Sequence, residues 1–180
     1  MKILKNNLEE NLKIRTQKNY PKEGIEFIDI TPLTLNKKVF NEIIDKLIDE
    51  IKNKDVDYIV SPEARGFLFG PVVANKLNIG FIPVRKKDKL PPVAIEQEFS
   101  YEKEYGKDIL VLPKLVEDNY NDKKFYILDD IYATGNTMSS IKEAIENLNG
   151  NVVGEGVIIK IKGFKENKEL FSLIEIEEEI

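Results

Sequence analysis

Apolar residues recur along this chain with two periods, which predict alternating strands and helices. Between residues 36 and 53 they fall three or four positions apart, which predicts a helix capped by Asn36. Further helices are predicted over residues 67–77 and from near Thr137 to the stop at Asn149 and Gly150. Short apolar runs predict strands at residues 57–61, 79–84, 109–112, 125–128 and 152–161. This order predicts an α/β fold with a central, mostly parallel sheet flanked by helices.

The remaining segments are less regular. Residues 1–19 have an approximate apolar side and are predicted to form a helix, whereas residues 25–33 are predicted to be extended or turn-like. The charged stretch 93–107 is predicted to be a long mobile loop, a lid with some hairpin character. Residues 170–176 are predicted to form a last strand at the edge of the sheet.

Composition narrows the chemistry that is available. The chain has 180 residues, which predicts one domain, and its net charge of −5 argues against a general nucleic-acid binder. It contains neither cysteine nor histidine, so any general acid or base must be a carboxylate, a lysine or a tyrosine. The apolar run 67–74 is too short to span a bilayer, and the polar start does not resemble a secretory signal. We therefore expect a cytoplasmic protein without a membrane partner.

The stretch KFYILDDIYATGNTMSS at residues 124–140 carries the strongest chemical signal. It is predicted to be a strand, a short turn of small residues and the start of a helix. Such a turn directs backbone N–H groups and the hydroxyls of Thr134 and Thr137 at one point, which suits a phosphate. Asp129 and Asp130 would repel a phosphate but suit the hydroxyls of a ribose. The stretch therefore predicts a site for a phosphoribosyl group.

Two groups of cations are predicted at the same end of the sheet. Arg65 lies between a strand and a helix, and the run RKKDK at residues 85–89 follows the next strand. Taken alone, Arg65 could equally form an ion pair, and the basic run could be a solvated turn. Together with the phosphate site, they suit a ligand that carries a pyrophosphate at its other end. Glu104, one of 32 acidic residues, would by composition alone be a surface charge.

Four more blocks accompany residues 129–137 in a fixed order. They are FIDITPL at residues 27–33, EARGFLFG at 63–70, PVRKKDKLP at 83–91 and YEKEYG at 101–106. Together the blocks resemble the motifs of the adenine phosphoribosyltransferase family, one of the type I phosphoribosyltransferases. The resemblance implies the type I phosphoribosyltransferase fold. It also implies a reaction in which adenine and 5-phosphoribosyl 1-pyrophosphate (PRPP) give AMP and pyrophosphate, with Mg²⁺ as cofactor.

The resemblance also implies roles for individual residues. Asp129 and Asp130 would hold the ribose hydroxyls, and Glu104 would be the catalytic acid–base group, brought in when the lid closes. The 5′-phosphate would be held by Ala133, Thr134, Gly135, Asn136 and Thr137. The departing pyrophosphate would be neutralised by Arg65, Arg85, Lys86 and Lys89, of which the two arginines would also be catalytic. Adenine would be held by Glu26, Phe27, Ile28 and Ile131, with main-chain groups of residues 26–28 reading its edge.

The family further implies a homodimer and Mg²⁺ that is held mainly by PRPP oxygens rather than by protein ligands. The single domain would comprise an N-terminal hood segment at residues 1–35, an α/β core at 36–162 and a C-terminal edge segment at 163–180. The chain departs from the family pattern at Ile28, where Arg is common, and at Lys103 beside Glu104. Asn136 replaces the second Gly of the phosphate loop, and Asn tolerates left-handed backbone better than most residues. The lid is also about two residues longer than the family pattern.

Two other functions fit parts of the pattern. The same chemistry could act on another purine, such as xanthine, hypoxanthine or guanine. Alternatively, the chain could be a regulator that senses PRPP or purines without turnover. A regulator would need a nucleic-acid-binding surface, and the acidic balance argues against one.

Overall fold

The computed structural model describes residues 2–8, 14–103, 106–116, 118–164 and 167–177. Its strands are β1 (Lys2–Asn6), β2 (Arg15–Lys18), β3 (Glu26–Asp29), β4 (Tyr58–Pro62), β5 (Gly80–Lys86), β6 (Ile95–Lys103), β7 (Gly106–Pro113), β8 (Lys124–Tyr132), β9 (Asn151–Lys162) and β10 (Phe171–Glu177). Its helices are α1 (Thr31–Leu35), α2 (Lys37–Ile51), α3 (Gly70–Leu77) and α4 (Asn136–Glu146). One turn of 3₁₀ helix, Arg65–Leu68, precedes α3.

Eight strands form one sheet in the order β1-β10-β9-β8-β4-β5-β7-β6. The five central strands, from β10 to β5, run parallel, whereas β1, β7 and β6 join antiparallel. This confirms the predicted central, mostly parallel sheet. Because parallel strands share a direction, the segments that follow β4, β5 and β8 emerge at one edge, where α/β proteins bind their ligands.

The central strands are buried on both faces, which explains their continuous apolar sequences. In β8, Tyr126 and Leu128 pack into the core beneath α2 and α3, whereas Phe125 and Ile127 pack into the core beneath α4. Helix α2 begins as predicted, since the Asn36 side chain accepts hydrogen bonds from the backbone N–H groups of Lys38 and Val39. Within the described residues, no helix is both long enough and apolar enough to cross a membrane.

The N-terminal prediction is wrong. Residues 2–6 form β1 on the outer side of β10, and Arg15–Lys18 form β2, which pairs with β3 in a separate two-stranded sheet. The sequence of residues 1–19 has few apolar positions, and it does not indicate that these residues hydrogen-bond to β10 and β3. Because β1 covers it, β10 is not the edge strand that the sequence predicts. The segment expected to be the hood thus divides between the main sheet and the small sheet.

The stretch expected to be a mobile lid is largely an antiparallel hairpin. Strand β6 pairs with β7 along most of its length, and β7 in turn pairs with the end of β5 through Arg85 and Lys86. The predicted hairpin character is confirmed, whereas the prediction of a long loop is wrong for residues 95–103.

The segment 25–33 is predicted to be extended or turn-like, but a short helix, α1, begins at Thr31. Pro32 lies in the first turn of this helix, where the N–H group that proline lacks would have no helical partner in any case.

Candidate active site

The predicted phosphate turn lies between β8 and α4 and is shorter than expected. Strand β8 continues through both aspartates to Tyr132, so the turn itself comprises residues 133–135. Gly135 has a left-handed backbone (φ 79°) and caps α4 without a side chain, and the Thr134 hydroxyl accepts a hydrogen bond from the backbone N–H of Asn136 at 3.5 Å. Asn136 is therefore helical, and the left-handed position that it was expected to tolerate belongs to Gly135. The turn can direct helix N–H groups at an anion.

Asp129 and Asp130 are both buried at the end of β8, with 9% and 3% of their surface exposed. Burial, followed by the neighbouring charge of Asp130, raises the pKa of Asp129 well above its ordinary value. Arg65 Nε lies 2.8 Å from Asp130 Oδ2, but this oxygen receives no well-directed hydrogen bond. Two buried carboxylates with acceptor capacity to spare are suited to hydroxyl donors.

Arg65 joins these carboxylates to the segment expected to bind adenine. Its Nη1 donates to the main-chain oxygen of Ile28 at 3.3 Å, and its guanidinium carbon lies 5.6 Å from the centre of the Phe27 ring. Ile28 itself is buried and points away from this contact into the core beneath α2. Arg65, in the turn of 3₁₀ helix that follows β4, thus places a guanidinium against the backbone of residue 28.

A cavity of about 300 Å³ brings most of the predicted residues together. Its walls include all four residues predicted for adenine, together with Arg65 and Asp129. The phosphate turn also contributes Ala133, Thr134, Gly135 and Thr137. The remaining lining residues are Pro21, Ile25, Tyr101, Tyr132, Met138 and Ile161. A flat base, a sugar and a phosphate can therefore be accommodated side by side.

Arg85, Lys86 and Lys89, the other cations predicted for pyrophosphate, do not line this cavity. Arg85 Nε lies 2.9 Å from Glu63 Oε2, and Lys86 Nζ lies 3.6 Å from Asp108 Oδ2. The structure therefore separates these cations from Arg65, which sits at the base and ribose side. Glu63 is a residue that sequence reasoning missed, although it opens the EARG block.

Glu104 and Tyr105, which fall between β6 and β7 in the sequence, lie outside the described residues. The predicted role of Glu104 therefore remains a prediction. Tyr101 and Tyr132 are buried wall residues that the sequence did not single out. The only sequence signals for them were that Tyr101 begins the YEKEYG block and that Tyr132 directly precedes the phosphate turn.

The chain is similar over most of its length to known phosphoribosyltransferases. The model of the phosphoribosyl transferase domain family matches residues 29–177. An adenine phosphoribosyltransferase of Clostridium botulinum (strain Hall) is 45% identical over 159 residues, which cover 88% of this chain and 89% of the relative. One of Clostridium tetani is 44% identical over 158 residues, which cover 88% and 90%.

Solved structures extend this similarity to three dimensions. A crystal structure of adenine phosphoribosyltransferase from Thermoanaerobacter pseudethanolicus superposes with a TM-score of 0.79 at 36% identity, covering 91% of this chain and 95% of that one. The Saccharomyces cerevisiae enzyme, complexed with adenine and an imino-altritol bisphosphate, gives 0.76 at 35% identity, covering 89% and 93%.

Proposed function

The chain belongs to the phosphoribosyl transferase domain family, and we propose that it is an adenine phosphoribosyltransferase of purine salvage. The reaction joins adenine to PRPP and gives AMP and pyrophosphate. The fold is that of the type I phosphoribosyltransferases, with a mostly parallel sheet and flanking helices. The sequence prediction of family, fold and enzyme class is confirmed.

The observation that carries this proposal is the shared cavity. The turn at the start of α4, the segment from Ile25 to Ile28, and Asp129 and Ile131 of β8 all line it. The yeast relative, at 35% identity, was solved with adenine bound, which supports a purine in a site of this fold. A base and a phosphorylated sugar in one cavity are the two reactants that the proposed transfer needs.

We propose the following division of labour in the site. The N–H groups at residues 133–137 and the dipole of α4 hold the 5′-phosphate, and Asp129 and Asp130 accept hydrogen bonds from the ribose hydroxyls. Phe27 and Ile131 pack against the base, and main-chain groups of residues 26–28 read its edge. Carboxylates beside the anomeric carbon also stabilise the positive charge that develops there in the transition state.

The pyrophosphate end and the acid–base group complete the proposal. Arg65 reaches the cavity. Arg85 and Lys86 end the neighbouring strand β5, and Lys89 follows them. All four cations neutralise the departing pyrophosphate. Glu104 protonates or deprotonates the base when the lid closes, as the family resemblance implies. Replacing Glu104 with alanine should lower turnover much more than the affinity for PRPP.

We also propose that Mg²⁺ accompanies PRPP, that the enzyme is a homodimer and that it works in the cytoplasm. Mg²⁺ usually keeps several waters and is bound largely through substrate phosphates, so we propose that PRPP oxygens hold it, without a direct protein ligand. No cluster of three or more candidate metal ligands occurs among the described residues. Light scattering at several concentrations tests the dimer.

The decisive assay measures pyrophosphate released from PRPP and Mg²⁺ with adenine, hypoxanthine, guanine or xanthine offered separately. Release with adenine alone is the expected result. Release with another base would keep the fold and chemistry but replace the base. Binding of PRPP without release for any base would instead support the sensor function.

A further inference from the structure

Glu63 ties the end of β4 to the end of β5. Its backbone N–H donates to the carbonyl oxygen of Val84 at 2.8 Å. Its side-chain Oε2 accepts two hydrogen bonds, from Arg85 Nε at 2.9 Å and from the backbone N–H of Lys86 at 3.1 Å. One residue therefore fixes both the main chain and a side chain of the strand that opens the basic run.

The way in which Glu63 holds Arg85 leaves the guanidinium ready for a second anion. A guanidinium has five N–H donors, and the contact through Nε uses one of them. The four N–H groups on Nη1 and Nη2 form the fork that binds phosphates bidentately. The guanidinium carbon also lies 6.0 Å from the centre of the Phe67 ring, so the group is held from two sides. Arg85 is a third exposed, which keeps this fork accessible.

The negative charge of Glu63 also acts on the basic run at residues 85–89. Arg85, Lys86, Lys87 and Lys89 repel one another, and the Glu63 carboxylate offsets this repulsion where it contacts Arg85. Burial pushes the pKa of Glu63 upward, but the hydrogen bonds from Arg85 and from the Lys86 N–H outweigh it and hold the pKa below its ordinary value. Glu63 is therefore charged at neutral pH and keeps Arg85 at the strand end.

We propose that Glu63 is a positioning residue for the pyrophosphate end of the site, acting through Arg85. This inference rests on the proposed function and adds a residue to it. The adenine segment contacts Arg65 rather than Arg85. Loss of Glu63 should therefore weaken the binding of PRPP and of pyrophosphate while leaving the binding of adenine unchanged.

The test compares Glu63→Gln with the parent chain. Glutamine keeps the length of the side chain and can still accept from the Lys86 N–H, but it loses the charge that holds Arg85. The KM for PRPP in the forward reaction and for pyrophosphate in the reverse reaction should rise roughly three- to tenfold, with the KM for adenine unchanged. Glu63→Asp, which keeps the charge on a shorter side chain, should recover part of this loss.

Glu98→Gln is the matched control. Like Glu63, Glu98 forms an ion pair with a cation of the basic run, but its partner is Lys87 rather than Arg85. Lys87 Nζ lies 2.7 Å from Glu98 Oε2. This variant should keep all three KM values. Unfolding midpoints of every variant distinguish a local effect on binding from a loss of folded protein.

Calorimetric titration with magnesium pyrophosphate gives a reading that does not depend on turnover. Weaker binding to Glu63→Gln than to the parent and to Glu98→Gln is the expected result. Unchanged or tighter pyrophosphate binding, or an equal rise in the KM for adenine, would overturn the role of Glu63. A parent chain that is inactive with every base would overturn the proposed function instead, and the titration would still decide the inference.

Discussion

Replacing Gly135 with alanine should lower the free energy of unfolding by about 2–5 kcal/mol. Gly135 has φ 79°, and a residue with a side chain pays roughly 1–2 kcal/mol for a left-handed backbone. An added Cβ would also lie 2.6 Å from Cζ of Tyr132 and nearer still to its hydroxyl. Tyr132 is only 4% exposed and has little room to move, so the overlap adds roughly 1–3 kcal/mol.

Gly24→Ala is a control matched in backbone. Gly24 has nearly the same dihedral angle, φ 82°, but no atom lies within 4 Å of its added Cβ. This variant should lose only the backbone part, about 1–2 kcal/mol. In a chain that already carries Tyr132→Ala, Gly135→Ala should likewise lower the free energy of unfolding only by the backbone contribution, because the Tyr132 ring is absent.

The assay is denaturant unfolding at one fixed protein concentration, with the KM for PRPP measured alongside. Gly135→Ala should raise this KM, because the strain falls on the turn proposed to hold the 5′-phosphate. If Gly135→Ala and Gly24→Ala lose the same free energy, the Tyr132 ring does not constrain the turn. The same conclusion would follow if removing the ring brought no relief.

Two further predictions concern buried polar groups. The Tyr126 hydroxyl is buried without a hydrogen bond, whereas the Tyr120 hydroxyl donates to the carbonyl of Pro113 at 2.9 Å. Urea unfolding should therefore show that Tyr126→Phe leaves the free energy of unfolding unchanged or raises it by about 1 kcal/mol. Tyr120→Phe should lower the free energy of unfolding by about 1 kcal/mol. A change of the same sign in both variants would refute this account. The second concerns Asp129, whose raised pKa means that ionisation opposes folding as the pH rises above the ordinary carboxyl value. Asp129→Asn should be more stable than the parent at neutral pH, by a margin that shrinks in acid, and should bind PRPP less well; a margin independent of pH would contradict the assignment.

The central strands and the phosphate turn could be predicted because their signals are local. The apolar run before Asp129 and the small residues after it specify a buried strand, a turn and a helix start within one short stretch. Helix α2 was equally visible, since its apolar stripe and the Asn36 cap both lie within its own sequence.

The rest depended on contacts between distant residues. Residues 2–6 are a strand only because β10 offers them an unpaired side, and nothing in their own sequence indicates this. The placement of Arg65 beside Ile28 and Asp130, rather than with Arg85, follows from how the chain crosses the sheet edge. Glu63 was overlooked because one acidic residue in a motif gives no sign of which cation it will hold.

The strand β1 has a consequence for how copies of the protein behave toward one another. An uncovered outer strand can pair with another chain and seed aggregation, and the mostly buried β10, seven residues long, would be a template for this. The strand that covers it is short, has every residue exposed to solvent, carries Lys2 and Lys5, and shifts register between Ile3 and Lys5. These are features by which natural sheets discourage further pairing. Removing residues 2–6 should therefore let copies associate beyond the proposed dimer through intermolecular β-structure, with the fold of each copy still intact.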